Sequence, residues 1–307
     1  MRNILIIGGS YFVGRVFVEE LLKSEEFHIH VLNRGRIPFR KEGVTEIVCD
    51  RHDLQGMRAA LPAIHWDAVV DFCAYAPEDI AGTLEVLPSN GVEQYVYIST
   101  ASVYDHTLEL PIREDAAKLS GPQPELGPAA DYGYNKWRAE LKLQEQCSRS
   151  GIHHTSIRPA FIYGKYNYAP RESYFFDLLI KNEPIVIPDK SLALFSFVSV
   201  WDVAALVMGC LGNSAAYDRA FNASAEELIS YPRLIETLEK VTGISPRITP
   251  MSIDEIESRQ IPLPFPLDEH LIYDGAQLKG IVNFDYTPFQ EGMAETYRYH
   301  RIGRGLD

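Results

Sequence analysis

Residues 1–22 read MRNILIIGGSYFVGRVFVEELL. Residues 4–7 are apolar without alternation, so 2–7 predict a strand buried on both faces of a parallel sheet. Gly8-Gly9-Ser10-Tyr11-Phe12-Val13-Gly14 follows at once. Phe12, Val13, Val16, Phe17 and Leu21 then share one face of a predicted helix over 12–23. Strand, glycine-rich turn and helix in immediate succession open a βαβ unit.

The alternation continues. Strands are predicted at FHIHVLNRG (27–35), EIVCD (46–50), WDAVVDFCAY (66–75), EQYVYISTASVY (93–104) and HHTSIRPAFIYG (153–164), with helices over 53–61, 77–87 and 132–149. This order implies an α/β fold with a doubly wound parallel sheet, whose ligands lie off the carboxyl ends of the strands. Beyond Gly164 the texture becomes irregular and rich in Tyr and Pro, and 195–211 returns to strand-then-helix. Helices are expected at 231–242, 252–259 and 288–300, with a proline-rich loop over 261–266. We expect a nucleotide-type domain from 1–164 plus about 195–228, and a smaller, partly interleaved C-terminal substrate lobe from about 165–194 plus 229–307.

The chain has 307 residues, 46% hydrophobic and 23% charged, with net charge −13. An acidic surface repels phosphate backbones, so no nucleic-acid partner is expected. Cys49, Cys73, Cys147 and Cys210 are widely spaced and form no metal-ligand pattern, so free thiols and no metal are expected. No apolar run approaches the ~18 residues of a membrane span, and the N-terminus lacks a signal-peptide layout. The expectation is a soluble cytoplasmic protein acting on a small molecule.

The opening turn fits both GxGxxG and GxxGxxG except at Tyr11, where the middle glycine would stand. The outer glycines serve a tight turn and close helix packing; the middle one lets a dinucleotide pyrophosphate approach the backbone. A side chain there is tolerable when its Cβ points away from the phosphates. The helix N-terminus still offers N–H groups and partial positive charge. Asn33-Arg34 follows the second strand, with no acid to grip a ribose 2′-hydroxyl; an arginine suits a 2′-phosphate, so NADP is slightly favoured over NAD. Asp50 and Arg51 follow the third strand; Asp50 could accept from an adenine amino group, or cap a helix as Asp53 could.

Tyr132 and Lys136 lie at i and i+4 on one helical face. A phenol of pKa near ~10 is a poor base at neutral pH, and a nearby ammonium favours the phenolate. The strand ending YISTASVY brings Ser99, Thr100 and Ser102 to the same sheet edge.

With these pieces in order, the chain resembles the extended and atypical extended short-chain dehydrogenases/reductases of the NAD-dependent epimerase/dehydratase type, over nearly its whole length. GGSYFVG resembles the family's TGxxGxxG, VYISTASVYD its SSxxVYG, YGYNKWRAE its YxxxKxxxE, and IRPAFIYG its RPxxxYGP. FSFVSVWDVA, FNAS and the tail from Tyr273 resemble its later motifs. The resemblance implies a Rossmann sheet and hydride exchange between a secondary alcohol or ketone, such as a sugar derivative, and a nicotinamide. It implies Tyr132 as proton donor and acceptor, Thr100 as the partner hydroxyl, and Lys136 on the nicotinamide ribose. Gly8, Gly9, Ser10, Tyr11, Phe12, Val13, Gly14, Asn33, Arg34, Asp50, Arg51, Ala74, Tyr75 and Pro159 would line the cofactor. Relatives often dimerise through the helices near 77–87 and 132–149; the charges on the latter leave monomer and homodimer both open.

Three departures shape the expectation. Tyr11 brings the opening closer to a GGTxFxG branch that includes chloroplast stem-loop RNA-binding relatives. Alternatives are therefore a non-catalytic dinucleotide-binding regulator or an RNA-associated protein. Ala101 and Ser102 replace the Asp-Glu of the dehydratases, which disfavours water elimination. Phe195 replaces the diphosphate-clamping Arg of nucleotide-sugar epimerases, and the Asn after their sixth strand is missing. Arg171 and Tyr163 are the candidate substrate contacts.

Overall fold

A computed structural model describes residues 1–87 and 91–305. Strands β1 (Arg2–Ile7), β2 (Phe27–Asn33), β3 (Val44–Val48), β4 (Trp66–Asp71), β5 (Val92–Ile98) and β6 (His153–Pro159) form the large sheet with a later strand, β10 (Arg219–Ala223). The order is β10-β6-β5-β4-β1-β2-β3, every pair parallel. The chain thus runs outward from β1 in both directions, and the reversal at β1/β4 opens a crevice at the carboxyl edge.

Alternation along β1 explains why this strand is apolar throughout. Ile4 and Ile6 enter one core, with Val16, Phe17 and Leu21 of α1 (Phe12–Leu21). Leu5 and Ile7 enter the other, with residues from α2 (Leu54–Ala60), α3 (Pro77–Val86) and α4 (Tyr132–Ser150). Four of these β1 side chains are at most 1% exposed; burying each contributes on the order of 1.5–3 kcal/mol before the entropy of ordering is counted.

The rest of the chain builds a second lobe. β7 (Phe161–Tyr163), β9 (Phe195–Ser199) and β11 (Leu228–Ile229) make a three-stranded sheet, while β8 (Ile185–Pro188) pairs with β12 (Ile248–Met251). Around them lie α5 (Glu172–Ile180), α7 (Tyr231–Thr242), α8 (Ile253–Ser258) and α10 (Phe289–Arg304), over an aromatic-rich core. α6 (Val200–Cys210) returns to the large sheet beside α1, and α9 (Ala276–Val282) places Leu278 in the same core.

Several expectations need adjusting. The third strand lies at 44–48 rather than 46–50. Residues 172–180, read as irregular, are the helix α5. β9 pairs within the small sheet, not the large one, and 219–223 supplies a seventh strand that the sequence did not reveal. Among the described residues no helix is long and apolar enough to cross a membrane.

Candidate active site

The glycine turn is built by close approach. Gly8 has φ +84°, and a Cβ there would meet Cys73 at 2.9 Å. A Cβ on Gly14 would lie 2.6 Å from the Gly8 carbonyl oxygen. Gly9 serves from below: its Cβ would press on Ile6, Val18 and Val31. Tyr11 has extended backbone and precedes α1, and no side chain caps that helix. The first N–H groups of α1 are therefore left for a ligand. The Tyr11 ring stacks on Tyr168 of the second lobe, centroids 5.5 Å apart and planes at 27°. Phe12, at φ +42°, is in a conformation costly for a bulky side chain and meets Tyr168 edge-on.

Two cavities adjoin along a wall shared by Gly8, Tyr11, Cys73 and Tyr75. The first, of about 320 Å³, lies off β2 and β3 and takes in Ser10, Asn33, Arg34 and Asp50. Arg34 is exposed there. The His52 backbone N–H, aided by the charges of His52 and Arg34, holds the Asp50 carboxyl below the usual carboxylate range. Asp53 caps α2 through the Gly56 N–H. Arg51 edges this cavity, but its side chain has other work. It is 8% exposed, makes two hydrogen bonds to Asp71 at 2.9 and 3.0 Å, and donates to the Asp79 carbonyl and the Thr83 hydroxyl. Arg51 lines this cavity while a buried carboxylate on β4 holds its guanidinium.

The second cavity, of about 220 Å³, lies off β5 and β6 and gathers Val13, Thr100, Tyr132, Lys136, Pro159 and Arg171. The close seat of α4 makes this convergence. A Cβ on Gly133 would strike the Ser102 carbonyl at 2.2 Å, so only glycine lets the helix start directly against the end of β5. That seat brings Tyr132 and Thr100 to the wall of one cavity. Thr100 also accepts from the Ser102 N–H at 3.2 Å. Ser99 Oγ lines the cavity, buried and without a partner.

Lys136 donates to the carbonyls of Ala74 and Ile98, both at 2.8 Å, and lies 4.9 Å from the rings of Tyr75 and Tyr97. Ala74 acts through that carbonyl and is itself off the cavity wall, where Cys73 and Tyr75 stand instead. Burial lowers the Lys136 pKa to about 8, against the raising influence of Asp71. Its place in the cavity raises Tyr132, and the Thr100 hydroxyl and the Arg171 charge oppose this. The expectation that Lys136 tunes Tyr132 is not what this geometry gives. The ammonium is turned to the Ala74 and Ile98 carbonyls, and Arg171 lines the same cavity as the phenol.

Tyr163 does not reach the site. It is 1% exposed and packs on Phe197 and Phe289 inside the second lobe, because strand parity sends Ile162 to the cavity and its neighbour inward. Of the loop tyrosines read as packing or as a pocket wall, Tyr168 takes the second role, and Glu172 went unassigned in the sequence. Tyr168 lines the cavity. Glu172, 2% exposed, accepts from the Gly164 N–H at 3.0 Å and from Asn167, and so shapes the loop that carries Tyr168 and Arg171. A buried glutamate opening an aromatic helix gave no pattern to find it by.

Comparison with known proteins places the chain in a family and a fold. A family model described as the NAD dependent epimerase/dehydratase family matches residues 4–223. The chain is 28% identical to the chloroplast stem-loop binding protein of 41 kDa b of Arabidopsis thaliana, over 99% of this chain and 80% of that protein. Its structure resembles UDP-glucose 4-epimerase with UDP-glucose from Thermotoga maritima (TM-score 0.80, 18% identity, 98% of this chain and 99% of that one). It also resembles UDP-glucuronic acid 4-epimerase from Bacillus cereus in complex with NAD (TM-score 0.79, 17% identity, 99% and 98%).

Proposed function

The chain belongs to the NAD dependent epimerase/dehydratase family, and from that premise we propose that it binds a nicotinamide dinucleotide and oxidises, reduces or epimerises a secondary alcohol or ketone, with Tyr132 moving the proton. The observation that carries this reading is the convergence of Thr100, Tyr132 and Lys136 on one cavity that adjoins a second across the glycine turn.

The residues present fit the dinucleotide. Gly8 and Gly14 permit the tight turn and the close seat of α1, α1 has no side-chain cap, and Ser99 Oγ offers an unclaimed buried donor and acceptor. Asn33, Arg34 and Asp50 would hold the adenosine end, and Arg34 favours a 2′-phosphate, hence NADP over NAD. Lys136 spends two of its three N–H donors on carbonyls, leaving one for a ribose hydroxyl. When bound, the nicotinamide would exchange a hydride with the substrate carbon. Tyr132 gives a proton to, or takes one from, the oxygen on that carbon, and Thr100 orients that oxygen and the phenol together. An ordinary tyrosine phenol is protonated near neutral pH, so the resting Tyr132, 40% exposed at the cavity, is disposed to donate.

Tyr132→Phe removes only the proton-carrying oxygen. It should retain dinucleotide affinity by calorimetry while turnover on a carbonyl and hydroxyl panel falls roughly 100-fold or more. Undiminished turnover in this variant would refute the assignment. Dinucleotide binding with no exchange by the unaltered protein would favour a non-catalytic regulator.

The likeness to the chloroplast stem-loop binding protein supports a second reading, RNA association. The net charge of −13 opposes it. Filter binding of a stem-loop RNA over a salt series decides: no retention at low salt removes this reading.

A further inference from the structure

Arg171 is a cation in the reaction cavity without an ion-pair partner there. Its guanidinium donates to the Ile162 carbonyl at 3.0 Å and lies 5.5 Å from the Phe161 ring centre. The adjacent Glu172 carboxylate feels the Arg171 charge, and its hydrogen bonds come from Gly164 and Asn167. One hydrogen bond to a carbonyl and one ring contact hold the group in place while leaving other donors free. Tyr132 and Thr100 line the same cavity, and the Arg171 charge is felt at the Tyr132 phenol.

The cavity around this cation measures about 220 Å³ and adjoins the one of about 320 Å³ across the glycine turn. Ile162 and Tyr168 form its wall toward the second lobe. Behind that wall Phe161 meets Phe195, Phe197 and Phe265 at centroid distances of 6.3, 5.9 and 5.4 Å. Phe195 is fully buried in this block, stacked 5.3 Å from Phe265. These packed rings offer a diphosphate no cation.

Building on the proposed Thr100–Tyr132 chemistry, we propose that the substrate is a compact hydroxylated anion, a carboxylate or phosphate monoester, whose anionic group docks on Arg171, and not a nucleotide diphosphate sugar. Such a ligand places its charge on the guanidinium and a secondary hydroxyl or carbonyl at Tyr132 within one small chamber. A planar guanidinium suits both carboxylate and phosphate oxygens.

The test is binding by saturation-transfer NMR and calorimetry, with the protein first saturated with NADP⁺ or NAD⁺. The probes are gluconate, glucose 6-phosphate, glucose and UDP-glucose. One of the two compact anions should bind at least tenfold more tightly than glucose, and UDP-glucose no better than glucose. Comparing the two anions separates carboxylate from phosphate. Arg171→Met should abolish the preference, roughly a tenfold loss or more, with dinucleotide affinity unchanged, and Arg171→Lys should retain part of it. No preference for either anion, tight UDP-glucose binding, or a preference that survives Arg171→Met each overturns the proposal. Failure to bind dinucleotide at the first step removes the underlying site reading instead, and this inference with it.

Discussion

Lys136 brings an amine to a position 3% exposed and gives it two carbonyls where a carboxylate would have neutralised it. Its pKa falls from 10.5 to about 8 as a result of burial. Between those values the unfolded chain holds a proton that the folded chain has shed, so the stability contributed here rises with pH through that window. Near pH 7 the buried charge costs the folded state. Lys136→Met should therefore be at least as stable as the parent near pH 7. The parent should then gain on it by on the order of 1–3 kcal/mol by pH 10. Urea unfolding of both proteins across that range measures the difference; a gap independent of pH would show that the amine is not desolvated as described. The spacing of Tyr132 and Lys136 was legible because a helix repeats every ~3.6 residues. The fates of Tyr163 and Arg51 were not. Tyr163 lies on a three-residue strand whose inward face is set by distant partners, and Arg51 answers to a carboxylate on another strand.

The loop between β7 and α5 is fastened to the first helix. Lys165 and Tyr166 both reach Glu19 of α1, at 2.7 and 3.0 Å, while Tyr168 covers Tyr11 and Phe12. Glu19 is held below the ordinary carboxylate range because these hydrogen bonds and the charges of Lys165 and Lys41 outweigh its burial. The loop thus straps the second lobe across the glycine turn. Tyr168→Ala should loosen the strap and speed dinucleotide release several-fold in stopped-flow fluorescence, with little change in melting temperature, since the ring is 62% exposed. Release unchanged from the parent would mean that the stacked rings do not retain the ligand. The sequence hid parts of this arrangement for physical reasons. The SYFFDLLI segment of α5 is aromatic enough to resemble a strand, and becomes a helix because Phe175, Phe176 and Leu179 fall on one buried side. β3 is an edge strand with one buried residue, so no apolar run marks its limits. β10 is short and begins on an exposed Arg219; its burial comes from its place beside β6, with α9 laid against it.

The order β10-β6-β5-β4-β1-β2-β3 puts the ends of β1 to β6 along one crevice, so residues far apart in the chain meet without any local signal that they will. The large sheet was legible because its strands are buried on both faces and alternate with helices. The second lobe was less so, since its small sheets draw on short strands from three separated stretches. The account as a whole rests on the crevice accepting a dinucleotide although Tyr11 stands in its phosphate turn. That ring stacks on Tyr168 at the wall shared by both cavities, and no side chain caps the start of α1. Calorimetric titration of the unaltered protein with NADPH and NADH measures this directly. The account predicts saturable one-to-one binding well below about 1 mM, tighter for NADPH; no binding of either dinucleotide at millimolar concentration would contradict it.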